Sequence, residues 1–233
     1  MKFFIFLIFI PLVHSELHTF KTTYTGIRGQ TTAGTPEFTA VTTLDGHQID
    51  YYDSDTMKMI PKQDWMEEFA TKDTWIEDTE IRKHVQQVYK NNIHVLMERF
   101  SQLHGVHTYQ RVYGCEWDDE TGDSQGFDKY VYDGQDFISL GVKERTYTAH
   151  VPQAEPTVKK WNSDEEQLTL LKRYYEHECV YWLTYFLELR KVGFKGRGPT
   201  KEYRLVYVMG VLVFCAFILI MKQKRKCRSG KIR

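Results

Sequence analysis

The sequence predicts an α+β fold made of two similar halves, each with several antiparallel strands followed by a long helix. An Asp-Gly pair separates strand-like residues at Asp45-Gly46 and again at Asp133-Gly134, 88 residues later. Such a pair is a strong signal for a two-residue β-hairpin. Each hairpin is followed by proline and then by a long stretch without Gly or Pro. Strands followed by a helix, repeated once, are typical of an α+β domain.

The two stretches without Gly or Pro predict helices that pack on the strands. In the second, residues 157–192, apolar residues recur in steps of three and four and so share one helical face. The members of that face are Leu168, Leu171, Tyr175, Cys179, Trp182, Phe186 and Leu189. The first stretch, which ends at Gln102, gives a narrower stripe. Its members are Ile81, Val85, Val88 and then Val95 or Leu96. We expect both stripes to face the strands.

The two ends of the chain predict a membrane-anchored protein. Lys2 and a short apolar run before Ser15 have the layout of a secretory signal peptide, which we assign to residues 1–15. Residues 204–221 include 17 consecutive uncharged residues and predict one transmembrane helix. Residues 222–233 contain seven Lys or Arg and no acid, which indicates a cytoplasmic tail. The predicted topology is single-pass type I in the plasma membrane.

The predicted external part divides into a first domain at 16–104, a second domain at 105–192 and a stalk at 193–203. Residues 16–203 carry 22 Lys and Arg against 31 Asp and Glu, a net charge of about −9. Proteins that bind nucleic acid usually present a basic surface. We therefore expect no nucleic-acid partner.

Secretion makes a disulfide the default state of the two external cysteines, Cys115 and Cys179. One lies on the sheet-facing stripe of a predicted helix and the other in a predicted strand of the same half. A bridge between them is the preferred interpretation, provided that their Cα atoms come within about 7 Å. Two free thiols or intermolecular pairs are the alternative. The acids at 118–120 lack the spacing of a calcium loop, and no second close cysteine pair supports zinc, so we expect no metal site and place these acids in a hairpin turn.

No sequence pattern indicates a catalytic site. His104 and His107 flank Gly105, but no serine or cysteine nucleophile with a partner base emerges near them. We interpret both as loop histidines, and expect neither enzymatic activity nor a cofactor.

Six motifs, in order along residues 18–190, resemble one family. They are "PKQDWMEEFA" with "TW", "HVQQVYKNNI", "VYGCEWDDETG", "GFDKYVYDGQDFISL", "PQAEPTVKKW" and "ECVYWL". Together they resemble the two membrane-distal domains of a major histocompatibility complex class I heavy chain, in the form found in bony fishes. The resemblance implies a single eight-stranded antiparallel sheet roofed by two long helices, with a groove between the helices and the same bridge from Cys115 to Cys179.

The resemblance also implies residues at the two ends of that groove. At the end that holds a peptide's carboxylate, the family's cation or hydroxyl and its Thr, Lys and Trp correspond to Arg99, Thr157, Lys160 and Trp161. Cationic and hydroxyl donors suit a carboxylate, because charge-assisted hydrogen bonds are strong. At the end that holds a peptide's amino terminus, Tyr174 matches one of the family's tyrosines.

Two departures weaken the expectation of conventional peptide presentation. Thr22, Thr74 and Phe186 stand where the family has phenol groups. In addition, residues 193–203 join the second helix almost directly to the predicted span, where family members continue into an immunoglobulin-type third domain. Association with β2-microglobulin is therefore left open.

Two functions follow from the resemblance. In the first, the protein is displayed at the cell surface to an immune-cell receptor on natural killer or T cells. In the second, it is an antigen-presenting molecule that holds a peptide or other small ligand in the groove. A third alternative is a splice product or degenerate gene copy that keeps the fold.

Overall fold

The computed structural model describes residues 16–29 and 34–196, in which eight strands form one antiparallel sheet. The strands are β1 (Leu17–Arg28), β2 (Phe38–Leu44), β3 (His47–Asp53), β4 (Met59–Pro61), β5 (His107–Asp118), β6 (Ser124–Tyr132), β7 (Gln135–Gly141) and β8 (Thr146–Ala149). Their order is β4-β3-β2-β1-β5-β6-β7-β8. Each half of the chain thus contributes four strands, and β1 and β5 meet in the middle. The predicted eight-stranded sheet is confirmed.

Both predicted hairpins are confirmed. Asp45 and Gly46 have φ angles of 51° and 76°, and Asp133 and Gly134 have 47° and 79°. Two consecutive positive φ values are what a type I′ turn requires, and Asp-Gly tolerates them. The acid run at 118–120 lies at the turn between β5 and β6, as predicted.

The helices cover one face of the sheet, and the second predicted helix is divided. They are α1 (Asp73–Arg99), α2 (Glu155–Asn162), α3 (Glu165–Arg173), a π-helical turn (Tyr174–Glu178) and α4 (Cys179–Gly196). The break before α3 has a local cause, because the Asp164 carboxylate accepts the Gln167 backbone N–H at 3.0 Å and so caps a new helix. The last helix ends at Gly196, beyond the predicted domain end at 192.

The predicted stripe of the second helix faces the sheet. None of its seven members is exposed, and Leu168, Tyr175 and Cys179 are almost fully buried. Leu183 and Leu187 are buried as well and were not predicted. The π-helical turn explains them, because it adds a residue to one turn and so rotates the buried face of α4 by about one position.

The predicted stripe of the first helix is largely wrong. Ile81, Val88 and Val95 are 54%, 38% and 42% exposed. The residues that α1 buries are Trp75, Arg82, Tyr89, Ile93, Leu96 and Met97. Of the predicted stripe, Leu96 belongs to this buried face, and Val85 is half-buried and packs against the core. The buried face of α1 includes an arginine. Counting only apolar residues therefore placed the predicted buried face about one residue too early along the chain.

The predicted disulfide joins the helix layer to the sheet. Cys115 in β5 and Cys179 at the start of α4 are bonded, with their Cα atoms 6.1 Å apart, and both are buried. Gly126 in β6 lies directly opposite Cys115. A Cβ at Gly126 would overlap with the side chain of Tyr175. The helix layer therefore approaches the sheet so closely at the bridge that only glycine fits below it.

Outside the described residues lie the predicted signal peptide, the predicted span and the predicted tail. Among residues 16–29 and 34–196, no helix is both long and apolar enough to cross a membrane.

Each hairpin aspartate also holds the histidine at or near the start of a central strand. Asp45 Oδ2 lies 3.1 Å from His18 Nδ1, and Asp133 Oδ2 lies 2.7 Å from His107 Nδ1. In both halves the other carboxylate oxygen accepts the backbone N–H of the residue after the histidine. His107 therefore begins β5 and is not a loop residue, whereas His104 does lie in the loop before it.

His107 lies between two acceptors, so the form that donates from both ring nitrogens is favoured. Its Nε2 lies 3.0 Å from the carbonyl oxygen of His104, opposite the bond to Asp133. A histidine that donates from both nitrogens is an imidazolium. The hydrogen bond to Asp133 accordingly raises the pKa of His107 above its usual value.

Replacing His107 by Gln should destabilise the protein more at pH 5.5 than at pH 8.5. The folded-state pKa is raised, so the stabilisation is complete below the unfolded-state pKa of about 6.5 and is lost as the pH rises through the folded value. Thermal unfolding of both proteins across this pH range measures the difference. In an Asp133→Asn background, the destabilisation caused by His107→Gln should no longer depend on pH. If His107→Gln destabilises the parent protein equally at both pH values, the proposed ion pair of His107 with Asp133 is contradicted.

Replacing Cys115 and Cys179 together by Ala should lower the free energy of unfolding by about 2–5 kcal/mol, because the bridge restricts the unfolded chain. Denaturant titration with and without a reducing agent measures this. The reductant should destabilise the parent and leave the variant unchanged. Equal sensitivity of the two proteins would contradict the expectation.

Candidate functional site

The groove between the helices is bridged near both ends by a hydrogen bond from a cation to a hydroxyl. At the end of α1, Arg99 Nη1 donates to Thr157 Oγ1 of α2 at 2.6 Å. Just before α1, Lys72 Nζ donates to the Tyr185 hydroxyl of α4 at 2.9 Å. These bonds tie the two helix layers together across the groove.

Aromatic rings fill the groove from its centre towards the Arg99 end. Tyr24, Tyr89, Tyr109, Tyr130 and Trp161 form a continuous row, with successive ring centroids 5.9, 5.1, 6.1 and 5.1 Å apart. The four tyrosines are buried. Rings at these separations are in ordinary packing contact. This half of the groove is therefore occupied by the protein's own side chains.

The other half contains a cavity of about 470 Å³, which we call the groove cavity. Phe20, Phe69, Trp182 and Phe186 contribute aromatic surface to it, and Tyr174 lies on the α3 side. Ligand pockets for small molecules typically measure about 300–1,000 Å³. A more open depression of about 790 Å³ lies outside the groove, around Gly29 and the loop before β5. Its lining includes none of the groove residues named above.

Two arginines lie on the floor of the groove cavity, and each is paired with a buried aspartate. Arg82 donates to both oxygens of Asp50, at 2.7 and 3.3 Å. Arg111 donates to both oxygens of Asp128, at 2.8 Å each, and to the Tyr175 hydroxyl at 3.3 Å. Burial alone would lower the pKa of Arg82, but Asp50 holds it above its usual value. Each pair therefore presents little net charge to a ligand.

Burial keeps the phenols of this region neutral. It raises the pKa of Tyr174 to about 12 and that of Tyr113 well above its usual value. The Tyr113 hydroxyl donates to Tyr24 at 2.8 Å. At neutral pH these groups offer hydrogen bonds and no charge.

The five groove residues named from the sequence occupy different environments. Arg99 and Thr157 meet, as described, while Lys160 is exposed. Trp161 packs on Tyr130 and on Tyr147, with a ring-centroid distance of 4.8 Å to the latter. The fifth residue, Tyr174, lines the groove cavity, at the opposite end from Arg99.

Sequence reasoning missed the cavity floor and the Lys72 bridge. One signal was available for Arg82, which lies seven residues from both Trp75 and Tyr89 and therefore on the same helical face. The bridge from Lys72 to Tyr185 joins residues 113 positions apart and leaves no local pattern.

The geometry agrees with comparisons to known proteins. A family model described as class I histocompatibility antigen, domains alpha 1 and 2, matches residues 16–193. The chain belongs to this family. It is 33% identical over 190 residues to the class I histocompatibility antigen F10 alpha chain of Gallus gallus, covering 82% of this chain and 54% of the relative. It is 38% identical over 153 residues to the major histocompatibility complex class I-related protein 1 of Mus musculus, covering 66% and 44%. This class I-like chain thus spans about half the length of these relatives.

Replacing Asp50 by Asn should lower the free energy of unfolding by about 3–5 kcal/mol, because Arg82 would stay buried without its counter-charge. Replacing both, as Arg82→Met with Asp50→Leu, should cost less, since no charge remains buried. Urea unfolding of the purified proteins compares them. A double variant less stable than Asp50→Asn would show that the pair itself contributes most of the stability.

Proposed function

We propose that this class I-like chain is a cell-surface immune recognition protein whose helices are displayed to a receptor on natural killer or T cells. Family membership supports the general role, since the matched region is the groove-forming part of class I antigens. The predicted signal peptide and membrane span support display at the plasma membrane.

The observation that carries this proposal is a row of exposed apolar side chains on α1. Ile81, Val88 and Val95 are spaced by seven residues and so lie along one line of the helix. Across the groove, Leu170 and Tyr181 are each 59% exposed. Single exposed apolar residues need no explanation, but a set arranged on both sides of one surface is typical of a protein interface.

The bridged ends support the same proposal. Because Arg99 bonds to Thr157, this end of the groove is spanned by the protein's own side chains, and a peptide carboxylate could use only the donors that this bond leaves free. The ring of Trp161 is likewise engaged by its neighbours. A surface whose helices are tied together needs no cargo between them to present a defined shape to a receptor.

A second candidate function is that of a carrier for a groove ligand, and the groove cavity favours it. Its volume suits a compact ligand better than a long extended peptide. In this candidate, Tyr174 contacts the ligand directly, and Arg99, Thr157, Lys160 and Trp161 contact only a ligand that extends to the opposite end of the groove. Association with β2-microglobulin belongs to either candidate and is tested by co-purification.

Replacing Ile81 and Val88 together by Glu should reduce receptor binding at least about tenfold, because truncating or charging a central apolar anchor typically costs 2 kcal/mol or more. The measurement is the response of natural killer and T cells to target cells that carry equal surface amounts of the full chain or its variant.

The matched control is Ile60→Glu, which charges an exposed isoleucine on the edge strand β4. It should leave the response unchanged. If cells respond to the helix variant as strongly as to the parent chain, recognition through this surface is contradicted. The same holds if the control variant abolishes the response equally.

A further inference from the structure

We propose that the receptor docks over the Lys72 end of the groove, on an exposed pair of tyrosines in α4, and that it presents a basic surface rich in Lys or Arg. We call Tyr181, Tyr185 and Lys72 the tyrosine patch. This inference rests on the proposed display function and deepens it, because it names the docking position and the chemistry of the partner.

The first support is an exposed aromatic ring that its neighbours already hold in place. Tyr181 is 59% exposed. Its ring centroid lies 5.3 Å from that of Trp182, and it stacks on the ring of Tyr185 at 6.2 Å. A partner that binds such a ring loses little side-chain entropy, because the rotamers are restricted before binding. Tyrosine is also enriched among the residues that carry most of the binding energy of protein interfaces.

The tyrosine patch stands on a rigid part of the fold. Tyr181 follows Cys179, whose disulfide attaches this turn of α4 to the sheet. Leu183, on the inward side of the same helix, is fully buried. From the other side of the groove, Lys72 donates to the Tyr185 hydroxyl at 2.9 Å and so fixes the second ring of the pair. The rings that a receptor would contact therefore have a defined position before binding.

The second support is the negative charge around the tyrosine patch. Residues 67–80 contain six acids and one cation, Lys72, and all seven side chains are exposed. The acids are Glu67, Glu68, Asp73, Glu77, Asp78 and Glu80. Among the described residues, only Glu80 of these six forms an ion pair, with Lys83 at 2.8 Å. Charges gathered on one surface act together on an approaching protein, so this end of the groove attracts a positively charged partner.

The opposite end of the groove has the opposite charge balance. Residues 90–99 of α1 and residues 155–160 of α2 together contain four Lys or Arg and two Glu. The charge of the surface therefore changes sign along the groove, from negative at Lys72 to positive at Arg99. A basic partner is attracted to the first end and repelled by the second, which fixes where on the helices it binds.

Lys72 shows that a cation is stable beside these rings. Its Nζ lies 5.6 Å from the ring centroid of Tyr185 and 5.7 Å from that of Phe69. The hydrogen bond to the Tyr185 hydroxyl, together with the charge of Glu68, raises the pKa of Lys72 above its usual value. An arginine of the partner can pack on the exposed side of Tyr181 in a similar way, because guanidinium groups stack on aromatic faces.

The docking position is tested by the binding of natural killer and T cells to lipid vesicles that carry the full chain or a variant at equal density. Flow cytometry of a dilution series gives the apparent affinity. Tyr181→Ala should weaken binding at least about tenfold, whereas Tyr181→Phe, which keeps the ring, should stay within about threefold of the parent. The control is Leu170→Ala on α3, because Leu170 is also 59% exposed, and it too should stay within about threefold. If Tyr181→Ala weakens binding no more than either comparison variant, docking through this ring is overturned.

Charge reversal tests the chemistry of the partner. Asp73→Lys should weaken binding about fivefold at about 50 mM NaCl and less at about 150 mM, with sucrose keeping the osmolarity constant, because salt screens exposed charges. The matched control is Glu155→Lys, since both residues are exposed acids in the first turn of a helix and lie at opposite ends of the groove. The control should not weaken binding. Equal loss in the control, or binding of the parent that does not fall as the NaCl concentration rises, would overturn the assignment of a basic partner.

Three outcomes separate this inference from the proposed display function. If the Glu substitutions at Ile81 and Val88 abolish binding while Tyr181→Ala and Asp73→Lys do not, the display function stands and the tyrosine patch fails as the docking position. If the cells do not bind the parent chain at all, both fail. If vesicles that carry the chain aggregate with one another in the absence of cells, and Tyr181→Ala prevents this, the patch binds a second copy of the chain and the assignment of a basic receptor is overturned.

Discussion

The second helix layer is fixed to the sheet where Cys179 bonds to Cys115 and Tyr175 lies over Gly126. This close approach determines the position of the second helix layer and so the shape of the groove beside it. The π-helical turn at the same place rotates α4. As a result, the face of α4 that carries aromatic side chains borders the groove cavity. The Tyr175 hydroxyl reaches the pair of Arg111 and Asp128 below it. The disulfide, the π-helical turn that rotates α4, and the contact of Tyr175 with the pair of Arg111 and Asp128 therefore lie at one place in the structure.

The buried charges have a comparable effect on the first helix. A buried ion pair is a weak source of stability, because desolvation of both partners offsets much of their attraction. It does, however, determine which way a helix is turned. With Arg82 directed at Asp50, the residue before it, Ile81, must lie towards the upper side of the groove. The pair that neutralises the cavity floor therefore also produces the exposed apolar row.

The sequence predicted those features that depend on local chemistry. The Asp-Gly hairpins follow from turn geometry, and the bridge from Cys115 to Cys179 follows from secretion and helical spacing. The sheet-facing stripe of the second helix was also correct, apart from the shift caused by the π-helical turn. The face of α1 was misassigned because a buried arginine breaks the rule that charge lies outside. The bridges across the groove join distant residues, so neither spacing nor composition could reveal them.

The two proposed functions, display and ligand binding, would be physically linked in this arrangement, because Ile81 belongs to both surfaces. It is more than half exposed on the helix and at the same time lines the groove cavity. Val85, one turn further along, lines the cavity as well and is half-buried. A ligand below these side chains would restrict their rotamers and change the apolar surface offered to a receptor. A receptor that contacts this part of α1 would then bind the filled and the empty protein with different affinities, even if it never touched the ligand. The difference between these two binding free energies is the coupling between the two functions. This coupling requires no movement of the helices, which are held together by the hydrogen bonds from Lys72 and Arg99.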